Sequence, residues 1–128
     1  MSKYCGYENQ ETFACAESIC TDAKNFDFWE HKLDSFINQG NTHKEAIKLL
    51  ADQLEITNKK QQDSVIFSLD FQRKQAYKTG QSIAFFDFMR ETLINAFEAI
   101  EYLQVAKAIY DQYIQDRRSW KELEKQNL

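Results

Sequence analysis

Apolar residues recur along the chain mostly at helical spacing. Phe13, Ala16, Ile19 and Cys20 lie three, six and seven residues apart, one face of a helix predicted from Gln10 to Cys20. Asn9 is a good cap for it, and Glu11 puts negative charge in the first turn, where the helix dipole favours it. Trp29, Leu33, Phe36 and Ile37 form the stripe of a second helix from Phe26 to Asn38, with Asn25 as its cap and Gly40 as its left-handed stop. A third helix opens on Thr42 and Glu45, the spacing of a capping box, and buries Ala46, Ile47, Leu50 and Leu54.

Residues 62–79 are ambiguous. Val65, Phe67, Leu69 and Phe71 alternate as in a strand, whereas Ile66, Leu69, Arg73, Ala76 and Tyr77 fit a helix. The surrounding glutamines, lysines and alanines favour a helix that ends near Gly80, since a lone strand would have no partner. Ser82 is placed to cap a further helix from Ile83 to about Ile100. Phe85, Phe86, Phe88, Met89, Leu93, Ile94 and Phe97 make it apolar around much of its circumference, the pattern of a central, buried helix. A last helix from Tyr102 to Lys125 packs through Val105, Ala108, Ile109, Tyr113 and Trp120. Residues 1–8 read as an extended lead-in and 122–128 as a frayed tail.

The composition agrees with this pattern. The 128 residues include no proline and only three glycines, so the tight turns of β-rich folds are scarcely affordable. The expectation is an all-α single domain, 1–128, of five to six helices around an aromatic-rich central one. No stretch reaches the roughly 20 apolar residues needed to span a bilayer. Three cysteines, Cys5, Cys15 and Cys20, suggest reduced, inert thiols in a cytoplasmic protein, and no secretory leader is recognisable.

Net charge is −4, which argues against a general nucleic-acid surface. The imbalance is concentrated in residues 1–40, with seven acidic and three basic side chains. Glu30 and Asp34 are i, i+4 neighbours and repel unless a cation faces them. Such a face either meets a basic groove on a partner or is simply solvated. Lys59, Lys60, Arg73, Lys74 and Lys78 form a basic counterpart interspersed with acids, a weak phosphate signal. Neither His31 nor His43 stands in a recognised metal or catalytic spacing, and no phosphate-binding glycine loop or nucleophile elbow is present. Neither enzyme activity nor a cofactor or metal is expected. Phenylalanines at helical spacing belong to a core; an excess on the surface would mark a dimer or partner interface.

The opening Gly6-Tyr7-Glu8-Asn9-Gln10-Glu11-Thr12-Phe13 resembles a small family carried by phages, plasmids and bacterial chromosomes, whose members begin Gly-Trp-x-Asn-x-Glu-Thr-Trp. Asn9, Glu11 and Thr12 match, while Tyr7 and Phe13 replace tryptophans. The acidic, aromatic stretch from Asp22 to Trp29 and the segment from Glu91 through Ala106 are similar to later parts of the family, with Tyr102 where it has tryptophan. The resemblance covers under half the chain and implies carriage on a mobile element. With an acidic N-terminal region, it suggests an anti-defence protein of the anti-CRISPR or antirestriction type. Such a protein would inhibit a host nucleic-acid-processing complex by stoichiometric binding, as a monomer or homodimer, without itself binding nucleic acid or membrane. Glu8, Asn9, Glu11, Asp22, Asp27, Glu30 and Asp34 are the expected partner-binding residues. The alternative is a helical adaptor or gene-expression regulator, dimeric through exposed aromatics.

Overall fold

A computed structural model describes the backbone of residues 4–126 and the side chains of residues 4–118. Five helices follow one another: α1 (Gln10–Cys20), α2 (Ala23–Asn38), α3 (His43–Lys78), α4 (Ala84–Glu98) and α5 (Tyr102–Gln126). Among the described residues there is no strand.

The helix starts show which local signals decide. Asn9 caps α1, and the Thr42–Glu45 capping box opens α3 with both reciprocal bonds in place. Gly40 stops α2 at a φ of 96°, a conformation costly for any residue with a Cβ. The cap of α2 is Asp22 rather than Asn25: one Asp22 carboxylate oxygen accepts from the backbone N–H groups of Lys24 and Asn25 at 3.0 and 3.2 Å. Ser82 does not cap α4. Ile83 holds that position without any side-chain bond.

The helix opened by the Thr42–Glu45 box and the helix expected over residues 62–79 are one helix of 36 residues. Residues 55–61 contain neither glycine nor proline, so nothing stops the helix once it is nucleated. The strand-like alternation at 65–71 falls on different helix faces, with Leu69 half-buried and Phe67 76% exposed.

The core joins four segments: Ala16 and Ile19 of α1; Phe26, Trp29 and Leu33 of α2; Ala46, Leu50, Ala51 and Leu54 of α3; and Val105, Ala106, Ile109 and Tyr113 of α5. All of these α3 residues lie in its first third. Beyond them, α3 continues as an arm on which α4 packs, crossed by Arg73–Asp87 at 2.7 Å and Arg90–Asp70 at 3.3 Å. The helix expected to be central is therefore peripheral. No α4 residue is buried, and Phe85 and Phe88 are 63% and 66% exposed. A helix with one neighbour can cover only one stripe of its surface, however apolar the rest is.

Of the expected extended lead-in, residues 1–3 lie outside the described residues, and residues 4–7 form a turn. Tyr4 and Tyr7 exchange backbone hydrogen bonds of 2.8 Å around Cys5 and Gly6, whose φ values of 49° and 89° suit a tight two-residue turn. Both tyrosine rings meet the Phe13 ring edge-on, at 5.1 and 5.8 Å between centroids. Of the expected frayed tail, residues 122–126 are helical, and 127–128 lie outside the described residues. Trp120 lies outside the described side chains.

Candidate partner-binding surface

The seven acidic and polar residues expected at a binding surface divide into two groups. Asn9 belongs to a buttress. Its Oδ1 accepts from the Thr12 backbone N–H at 2.8 Å and from the Thr12 hydroxyl at 2.7 Å. Its Nδ2 donates to the Ala99 carbonyl at 2.7 Å, and the buried Thr12 Oγ1 accepts from the Glu101 backbone N–H at 2.9 Å. This clasp holds the start of α1 against the link between α4 and α5. Beside it, the Glu8 N–H donates to Gln104 Oε1 at 2.9 Å.

Asp22 is occupied by its cap, and Asp34 by a tertiary contact. One Asp34 oxygen accepts from the Tyr113 hydroxyl at 2.7 Å and from Arg117 Nη2 at 2.6 Å. The cation needed to relieve Glu30–Asp34 repulsion thus comes from α5. Burial, reinforced by the hydrogen bond and charge of Asp34, pushes the Tyr113 phenol up to about 12.

Asp27 and Glu30 remain on the outer side of α2, and α5 adds Asp116. Partial burial raises the Glu30 carboxyl above its ordinary range, with the charges of Asp116 and Asp27 adding to the shift. Arg117 and His31 offset only part of it. Asp27 and Asp116 therefore both add negative charge around Glu30, Asp116 accepting from Gln112 Nε2 at 3.0 Å, while Arg117 is bound to Asp34. Asp116 had no local sequence signal, because only the packing of α5 on α2 brings it there.

Glu11 faces away, into a cleft of about 650 Å³ with Cys15, Phe28, Trp29, Asn58 and Phe97 on its walls. Burial raises the Cys15 thiol, favouring its protonated form, and Asn58 Nδ2 approaches its sulfur at 3.7 Å. Cys20 is half-buried and also raised by burial, whereas Cys5 is exposed in its turn. His31 Nδ1 donates to the Asp27 carbonyl at 2.7 Å, and His43 Nδ1 shares a 2.8 Å hydrogen bond with the Tyr110 hydroxyl. Among the described residues no group of three or more His, Cys, Asp or Glu side chains is arranged to hold a metal. Among the described residues no helix is long and apolar enough to cross a membrane. In the basic stretch, Arg73 is paired with Asp87. No protein-family model, curated protein or solved structure matches the chain.

Proposed function

We propose that this protein acts by stoichiometric binding, as an anti-defence inhibitor of the anti-CRISPR or antirestriction type that covers a cationic surface of a host nuclease complex. The observation that carries the reading is the Asp27, Glu30 and Asp116 group. Glu30 is partly desolvated and feels the negative charges of Asp116 and Asp27, and Arg117 is bound to Asp34. An arginine or lysine from a partner would relieve that repulsion, and the net negative charge would steer the encounter. Asn9, Asp22 and Asp34 leave the proposed binding set because their polar atoms are engaged within the fold.

The test is phage plating on hosts with and without a restriction or CRISPR system. Expression of the protein is expected to raise plating only where the defence operates, and Asp27→Lys with Glu30→Lys to abolish the gain. Unchanged plating on every defended host sinks the reading, as does full activity of the charge-reversed variant. A dimeric adaptor or expression regulator is the second reading. It is favoured by the aromatics that α3 and α4 expose, and promoter DNA retained by the purified protein would select it.

A further inference from the structure

α3 presents one uncovered face along most of its length. Leu49, Ile56, Lys60, Asp63, Phe67 and Phe71 are separated by seven, four, three, four and four residues, which places them in a single stripe, and all are exposed. The apolar members are large. Leu49, Ile56, Phe67 and Phe71 are 36%, 48%, 76% and 58% exposed, and α4 and the core pack on other sides of the helix. From Leu49 to Phe71 the stripe is roughly 33 Å long at 1.5 Å per residue.

We infer that a second copy of this chain covers the stripe, with the two α3 helices packed antiparallel about a twofold axis between residues 61 and 62. In that register Ile56 meets the partner's Phe67, Lys60 meets the partner's Asp63, and Glu45 meets the partner's Lys78, each pair occurring twice, while Leu49 lies along the stem of the partner's Lys74 and Phe71 beside the partner's Asp52. Alternatives are worse matched. A parallel pair sets Lys60 and Asp63 against their own copies, and an antiparallel shift of three residues also brings the two lysines together. A shift of four in the other direction puts Lys60 against phenylalanine. Charge thus selects one register among those the apolar residues would allow.

The area is consistent with a stable dimer. With fully buried aromatics worth 150–250 Å² each, the exposed parts of these four side chains supply about 400 Å² of apolar surface per copy. The flanking stems of Lys60, Lys74 and Lys78 extend the contact toward the ~800 Å² per partner of a standard interface. Charge also favours this face over the others. Residues 59–98 carry six basic and five acidic side chains, whereas the rest of the chain carries ten and fifteen. Two copies can bring their arms together with little net repulsion, while their acidic sides would repel. This contact is separate from the Asp27–Glu30 surface, so either can fail alone.

Sedimentation equilibrium of the full chain, from micromolar to sub-millimolar concentration, tests the inference. The mass is expected to rise from 15.2 kDa toward twice that value. Phe67→Glu with Phe71→Glu should leave a monomer of unchanged helical circular dichroism, since both rings are exposed. Phe85→Glu with Phe88→Glu, off the stripe on α4, should leave the dimer intact. Lys60→Asp should weaken association about tenfold, and adding Asp63→Lys should restore it. A single 15.2 kDa species at every concentration overturns the inference, and so does a dimer that survives Phe67→Glu with Phe71→Glu. A double charge swap no better than the single one overturns the register.

Discussion

Replacing Asn9 by alanine removes three hydrogen bonds at one point of the fold, those to the Thr12 N–H, the Thr12 hydroxyl and the Ala99 carbonyl. Loss of an asparagine N-cap costs about 1 kcal/mol. The Thr12 hydroxyl is fully buried and would keep its acceptor role toward Glu101 but lose its own acceptor, adding roughly 1–2 kcal/mol for an unsatisfied buried group. Losing the tie to Ala99 brings the expected destabilisation to about 2–4 kcal/mol, a large share of the ~5–15 kcal/mol typical of a domain. Thr12→Val acts on the same unit from the other side. It preserves shape but leaves the Glu101 N–H without its partner, costing about 1–3 kcal/mol. Because the two residues share a bond, the double variant should be less destabilised than the sum of the singles, by about 0.5–3 kcal/mol. Urea unfolding followed by circular dichroism measures all four proteins, provided the slope is unchanged. Strict additivity would refute a coupled clasp. So would an Asn9→Ala protein within 0.5 kcal/mol of wild type, the ordinary range for a surface substitution.

Other consequences follow from the α2–α5 contact. Asp34→Ala should destabilise by about 1–2 kcal/mol, because the part-buried Tyr113 hydroxyl loses its acceptor; a Tyr113→Phe background should remove most of that cost in the same urea assay. Glu30→Gln should raise stability by about 0.5 kcal/mol at neutral pH by removing like-charge neighbours, while weakening any partner that binds through the acidic group. Tyr113 has a folded pKa of about 12 against an ordinary value of 10.0. Its raised value contributes stability that is complete below pH 10 and declines as the pH approaches 12, so alkaline melting should be steeper in wild type than in Tyr113→Phe.

Features decided within one helical turn were legible in the sequence. The Thr42–Glu45 box and the Asn9 cap involve bonds between residues three apart, and Gly40 acts through its own φ. The start of α2 was not, although it too is local. Its first turn, Ala23–Asn25, is exposed and carries no apolar signal, so the stripe led to Phe26 and the nearer cap Asn25 instead of Asp22. The reading of α3 as two helices has the same origin. A helix that leaves its core loses its regular stripe without losing its hydrogen bonds, and periodicity measures only the stripe.

Misplacing α4 at the centre has a different physical cause. An apolar count fixes how much surface a helix would gain by burial, but the number of neighbours decides how much it buries. The four core segments already enclose one another, and α4 is left to pack chiefly on α3. A comparable argument bears on the opening motif. Asn9 and Thr12 direct their polar atoms inward, to each other and to the α4–α5 link. Any chain using this clasp would need an asparagine and a threonine three residues apart, whatever it binds. Likeness in those residues therefore reports how α1 is anchored. On the proposed reading, partner choice resides instead in outward-facing side chains: on α2, Asp27 and Glu30, and on α3, the stripe from Leu49 to Phe71.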